Sequence, residues 1–159
     1  MRTLLSKAFV ALLCAASSAY AAPERAGDFA LLDTSGEFHQ LSRYRHKEAL
    51  VLMAFDANCA EMPAAINELE ARNEVWQEQD VAFALINASA NQDLDKLREQ
   101  RAGLGIDLPV LIDKGQLVSE TMDLRHAGEV VVLDPERLSL LYRGPVSADL
   151  DSTLEAELD

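Results

Sequence analysis

Ala49-Leu-Val-Leu-Met-Ala-Phe55, followed by Asp56-Ala-Asn-Cys59-Ala-Glu-Met62, is the stretch on which the fold turns. A continuous apolar run of this length suits a central strand covered on both faces. From Met62 the pattern changes. Apolar residues at Met62, Ala65, Ile66, Leu69 and Trp76 follow a helical period up to about Gln79, which predicts a helix with one buried face. Cys59 therefore falls between a buried strand and a long helix.

The same alternation of periods continues on both sides. Upstream, Phe29 to Leu32 and Glu37 to Gln40 flank the turn signal Asp33-Thr-Ser-Gly36, a hairpin pattern, with a short helical turn from Leu41 to Tyr44. Downstream, Val81 to Ile86 reads as a second buried strand, and Asn91 or Asp93 caps a helix that carries Leu94 and Leu97 and ends near Gly103. Val110 to Ile112 is a short strand and Gln116 to Met122 a short helix. Val130 to Leu133 and Leu138 to Tyr142 form a strand pair joined at Asp134-Pro-Glu-Arg137, and Asp149 to Leu158 closes the chain as a helix. The expected order is β-β-β-α-β-α-β-α-β-β-α, an α/β domain.

The chain has 159 residues and a formal charge of −13, from 14 Lys plus Arg against 27 Asp plus Glu. A surplus of this sign repels phosphate backbones, so nucleic acid is not an expected partner. Residues 1–21 combine basic Arg2 and Lys7, an apolar run from Ala8 to Ala16 and the small-x-small site Ala19-Tyr-Ala21, the pattern of a signal peptide. The run is too short to span a bilayer, and Cys14 follows Leu13 instead of a small residue, which argues against lipidation. Cleavage after Ala21 leaves one domain, residues 22–159, off the membrane in a bacterial periplasm or outside the cell. It removes two positive charges and Cys14, taking −13 to −15. Cys59 is then the single cysteine in a disulfide-permissive compartment, and no intramolecular disulfide can form.

At the start of a helix, backbone N–H groups and the dipole favour a thiolate. Asp56 and Glu61 oppose it, because each disfavours a second negative charge. Two readings of Cys59 follow: an activated redox thiol, or an inert cysteine packed as a small hydrophobe.

The strand–Cys59–helix unit, Glu129-Val-Val-Val-Leu-Asp134-Pro, Tyr142-Arg-Gly-Pro145, and Leu108-Pro-Val-Leu-Ile-Asp113 through Gln116-Leu-Val118 together resemble the redoxin, peroxiredoxin-like branch of the thioredoxin-like superfamily. The resemblance spans Gly27 to Leu150. It implies a thioredoxin-like three-layer sandwich, with a central mixed sheet flanked by helices. It also implies thiol-based redox chemistry at Cys59, as an antioxidant one-cysteine peroxidase or in disulfide exchange. Peroxide would give a sulfenic acid resolved by an external thiol reductant, or Cys59 would form mixed disulfides with exported protein partners. A non-catalytic thioredoxin-fold binding module is the alternative from another class.

The departures from the family pattern are specific. Thioredoxin-type oxidoreductases carry Cys-x-x-Cys, whereas this window reads Cys59-Ala-Glu-Met62. Of the Pro, Thr and Cys that peroxiredoxins space along this stretch, Leu52, Asp56 and Cys59 occupy the matching positions, so the cysteine alone remains. Gly128 stands where thioredoxins place a cis-proline, and Arg125, three residues earlier, is the expected cation of the catalytic pair Cys59 and Arg125. A second resemblance is to the copper-delivering thioredoxin-fold proteins of cytochrome oxidase assembly. There a Cu(I) set would be Cys59, Met62 and His126, a soft donor combination; otherwise no metal or other cofactor is expected. The opposing readings place Met62 in the core and His126 in a solvated loop. His39 and His46 show no metal spacing. Trp76 belongs to the core face of its helix, Glu68, Glu70, Glu74 and Glu78 to a solvated face, and Arg143-Gly144-Pro145 to a strand end and turn.

Overall fold

The computed structural model describes residues 24–91 and 93–158. The expected signal peptide and Cys14 lie outside them. The element order is that of the sequence reading: β1 (Ala30–Leu32), β2 (Phe38–Gln40), β3 (Ala49–Ala54), α1 (Met62–Trp76), β4 (Val81–Asn87), α2 (Leu94–Gly103), β5 (Val110–Ile112), α3 (Leu117–Thr121), β6 (Val130–Asp134), β7 (Ser139–Gly144) and α4 (Ala148–Leu158). Short 3-10 turns cover Leu41–Tyr44 and Gln77–Gln79. No helix among the described residues is long and apolar enough to cross a membrane.

Five strands form one mixed sheet in the order β5-β4-β3-β6-β7. β3 runs parallel to β4, with Ala49 opposite Val81, and antiparallel to β6, with Leu50 opposite Leu133. Because side chains alternate across a strand, β3 feeds two cores. Ala49, Val51 and Met53 pack with Ile66, Leu69 and Trp76 of α1 and with Leu150 and Leu154 of α4. Leu50 and Leu52 pack on the other face with Phe29, Leu41, Leu111 and Met122. Fully burying a Leu, Val or Phe side chain stabilises a fold by about 1.5–3 kcal/mol, so a strand buried on both faces anchors all three layers. The fold is an α/β thioredoxin-like sandwich.

The N-terminal segment and the β1–β2 hairpin close the sheet's edges, where unpaired strands invite aggregation. Asp33 bridges to Leu111 and the Thr34 N–H donates to the Val110 carbonyl at 3.0 Å, covering β5. Arg25 bridges to Ser139 beside β7. The α2 cap is Asp93, whose carboxylate accepts from the Asp95 and Lys96 N–H groups.

Candidate functional site

β3 delivers the chain to the C-terminal edge of its parallel pairing with β4, the end of an open sheet where ligands commonly bind. There the Phe55 carbonyl accepts a hydrogen bond from Asn87 Nδ2 at 3.2 Å, from a side chain that is 3% exposed. Asp56 Oδ1 accepts from the Asn58 N–H and Nδ2, both at 2.9 Å. The Cys59 N–H donates to the Asp56 carbonyl at 3.0 Å. These bonds fold residues 56–59 into a tight turn that fixes the entry of Cys59. The Cys59 carbonyl then accepts from the Met62 N–H at 3.1 Å, and Pro63, with no N–H, follows in the first turn of α1. One helix-start donor is thus occupied and one is missing, so the anion-stabilising end expected at Cys59 is reduced to the dipole and what remains of the first turn.

Cys59 is a free, half-buried cysteine that packs against the core formed with α1 and α4. It lines an open cavity of about 270 Å³. One wall is the α1 face carrying Glu61, Met62, Ala65 and Glu68; the other is formed by Ala127, Gly128, Pro145 and Val146. Gly128 has φ +86°, and a Cβ built on it would lie 3.8 Å from Ala65 Cβ. Space is therefore available, and it is the left-handed backbone that calls for glycine. The Gly128 N–H donates to the Ala54 carbonyl at 2.8 Å, which pins this wall to the end of β3. The Pro145 wall is held by Tyr142, whose hydroxyl donates to the Pro145 carbonyl at 2.7 Å. A Cβ on Gly144 would come within 2.6 Å of that hydroxyl, so Gly144 leaves room for it.

The structure divides the residues singled out in the sequence between two cavities. Arg125 and His126 line a second one, of about 340 Å³, on the other side of Ala127, with Asp56, Asn58, Asn87 and Ser119. The Arg125 side chain is 72% exposed and pairs with Asp123; that of His126 is 84% exposed, with Nδ1 4.0 Å from Glu129 Oε2. Met62 shares the cavity of Cys59 but is 1% exposed and built into the core. The soft donor set is therefore split, with two members on one cavity and His126 on the other. Glu68, expected on a solvated face, also walls the Cys59 cavity.

Sequence reasoning missed a buried polar network under the hairpin. His39 Nε2 lies 3.1 Å from Asp33 Oδ2, and its Nδ1 meets the Tyr44 hydroxyl. Asp33 Oδ1 accepts from the Ser35 and Glu37 N–H groups at 2.8 and 2.9 Å. Burial pushes the Asp33 carboxyl up, but the hydrogen bonds from Glu37, His39 and Ser35 outweigh it and hold the group below its ordinary value. Burial, with the charges of Asp33 and Glu37, raises the Tyr44 hydroxyl. An ionised Asp33 only accepts, so Nε2 carries the imidazole hydrogen, and the Tyr44 hydroxyl donates to Nδ1. Ligand atoms of Asp33, Glu37 and His39 lie within 4.8 Å of one another. Both imidazole nitrogens are already engaged, so the group serves as a lock for the hairpin. The one signal in the sequence was a histidine in the inward register of β2, next to outward Phe38.

A half-buried cysteine between the central strand and the first long helix of a sandwich with this sheet order defines a thioredoxin-like redoxin. Residues 22–138 match the AhpC/TSA family, and the chain belongs to that family. Solved structures with the same fold include a hypothetical protein of Sinorhizobium meliloti 1021, with TM-score 0.70 and 23% identity over 89% of this chain and 86% of that one. The thioredoxin domain of a thiol-disulfide oxidoreductase from Bacteroides vulgatus has TM-score 0.71 and 13% identity over 87% and 99%. The exposed lipoprotein thioredoxin of Streptococcus pneumoniae strain TIGR4 has TM-score 0.70 and 22% identity over 81% and 99%. No curated protein sequence matches the chain.

Proposed function

We propose that this protein is an exported, one-cysteine redoxin that carries out thiol–disulfide exchange through Cys59. The observation that supports this most directly is the placement of a half-buried, free Cys59 on an open cavity that Gly128, which has no side chain, also lines. The Cys59 thiolate attacks one sulfur of a partner disulfide. The new S–S bond forms as the old one breaks, and the departing thiolate takes a proton from water. Met62 stands where a resolving cysteine would stand, and a thioether cannot complete the exchange. A second, external thiol then attacks the mixed disulfide and regenerates Cys59.

Exchange is favoured over peroxide reduction by the surroundings of the sulfur. Asp56 replaces the peroxiredoxin threonine and directs its carboxylate to Asn58. Arg125 lines the neighbouring cavity and is already paired with Asp123. Its role here is secondary, a partly neutralised charge beyond the Ala127 wall. Export to a bacterial periplasm or cell surface rests on the signal-like N-terminus, with the pneumococcal exposed lipoprotein as a neighbour in fold.

The test is intact mass spectrometry of the full chain in a Cys14→Ser background after incubation with hydroxyethyl disulfide. The expected result is one adduct, on Cys59, reversed by a second thiol. An unmodified chain, under conditions that modify a reference thiol, would leave a non-catalytic thioredoxin-fold binding module as the reading. Oxidation by mild peroxide to a sulfenic acid, faster than adduct formation, would move the assignment to a peroxidase.

A further inference from the structure

We propose that the Cys59 cavity selects disulfides carrying a positive charge beside the sulfur, and that Glu61 and Glu68 make the choice. The inference rests on the exchange reading above and names its substrate class. Glu61, Ala65 and Glu68 are spaced four and three residues apart at the start of α1. That spacing puts them on one helix face, and all three line the cavity of Cys59. Both glutamates are exposed, and neither has an ion-pair partner among the described residues.

Four other acids are matched, Asp80 with Lys47, Asp151 with Arg72, Asp123 with Arg125 and the buried Asp134 with Arg137, but none of these cations reaches the Cys59 cavity. Arg72, one turn beyond Glu68, gives Nε and one terminal nitrogen to Asp151 and its other terminal nitrogen to the Glu68 carbonyl, not the carboxylate. Among the described residues, no Lys, Arg or His lines the Cys59 cavity; Arg125 and His126 line the one beyond Ala127. The remaining lining is apolar, with Met62, Ala65, Pro145 and Val146. A ligand that fits brings a short apolar stem to the thiol and a cation to the rim. Anionic thiols meet two unpaired carboxylates on a chain of formal charge −13. Charges of one sign around a cleft shift encounter rates by about 10-fold or more, and the shift fades with salt.

The chemistry is the same exchange, with the probe as oxidant. The Cys59 thiolate forms a bond to one probe sulfur, the probe S–S bond breaks, and the leaving thiolate is protonated. The experiment measures adduct formation on the full Cys14→Ser chain with cystamine, neutral hydroxyethyl disulfide and anionic dithiodiglycolate. Each rate is divided by that of β-mercaptoethanol with the same probe. The expected order is cationic over neutral over anionic, with about 10-fold between the extremes at low salt. That spread should collapse in the Glu61→Gln, Glu68→Gln double variant and in high salt. A change in the intrinsic reactivity of Cys59 moves all three probes together and leaves the ratio untouched. A second arm uses peptide disulfides with Lys or Glu next to cysteine. A Lys preference extends the selection to protein substrates, whereas selection confined to cystamine assigns it to small thiols. Equal normalised rates for the three probes, or a spread unchanged in the double variant, would overturn this inference alone. No adduct with any probe would overturn the exchange reading and this inference with it.

Discussion

The hairpin lock and the Cys59 junction treat charge in opposite ways. Under the hairpin, Asp33 is 4% exposed and each of its oxygens has a partner, His39 is engaged at both ring nitrogens, and Tyr44 closes the chain of hydrogen bonds. At the junction the thiol is half-exposed, the helix start is uncapped by any side chain, and two glutamates on the cavity wall have no counter-ion among the described residues. Buried charge persists only when it is fully hydrogen-bonded, so the first region contributes stability. Unpaired charge at a solvated rim contributes little to stability and remains available to a ligand. Function in this fold is therefore sought in the region whose charges are left without a counter-ion.

Substitutions should separate the two regions. The largest effect is expected for Cys59→Ser, which should abolish the adduct altogether, because no thiol remains in the Cys14→Ser background. Its denaturant midpoint should stay within about 1 kcal/mol of the parent, as for a mild change at a half-buried position. Next is Asp33→Asn, which weakens charge-assisted bonds to two backbone N–H groups and His39. Hydrogen bonds to charged groups contribute about 1.5–3 kcal/mol each, so urea unfolding should show a loss of about 2–3 kcal/mol, with the Cys59 rate unchanged. A change in rate without a change in stability would break the division between the regions.

The lock also predicts an acid limit. Asp33 is held below its ordinary value by hydrogen bonds that outweigh its burial, and Asp134 is held down in the same way by Arg137 and the Glu136 N–H. A carboxyl with a depressed folded-state pKa contributes stability that is complete above its unfolded value, about 3.9. That contribution is lost as pH falls through the lower folded value. Unfolding free energy should therefore drop below about pH 4, and the drop should be shallower in Asp33→Asn. An equally steep fall in the variant would place the acid sensitivity elsewhere.

Smaller effects sharpen the picture of the junction. Gly144→Ala should displace the Tyr142 hydroxyl from the Pro145 carbonyl, costing about 1 kcal/mol for the lost bond and slowing exchange a few-fold as the cavity wall moves. Chemical denaturation and the adduct assay read the two parts separately. Arg125→Ala should change the exchange rate by less than about threefold, since a rim charge already paired with Asp123 is largely screened. A larger loss would return Arg125 to the catalytic pair expected from the sequence.

Much of this was legible in the residues. The switch from Ala49–Phe55 to the spacing of Met62, Ile66, Leu69 and Trp76 set out the strand, the helix and the junction between them, because burial on two faces and on one face leave different periods. Asn91 and Asp93 both offered a cap for α2, since a cap needs an oxygen at one particular place, and the structure uses Asp93. The site was legible only to Cys59 itself. Which cavity Arg125 and His126 would line depends on the left-handed turn at Gly128, a backbone choice that glycine permits without dictating. The lock was hidden because Asp33 and His39 meet across the hairpin, and a lone histidine in a short strand carries no periodic signal. Glu68 is exposed as expected for a solvated face, and only the packing of the Pro145 segment shows that it also lines the Cys59 cavity.

The most direct measurement is turnover. Reduction of a disulfide-bonded test protein by dithiothreitol is followed with and without catalytic amounts of the full Cys14→Ser chain. Reduction should be faster with wild-type Cys59, and Cys59→Ser should give none of that acceleration. Equal rates with and without the protein, or acceleration that survives Cys59→Ser, would contradict exchange through Cys59.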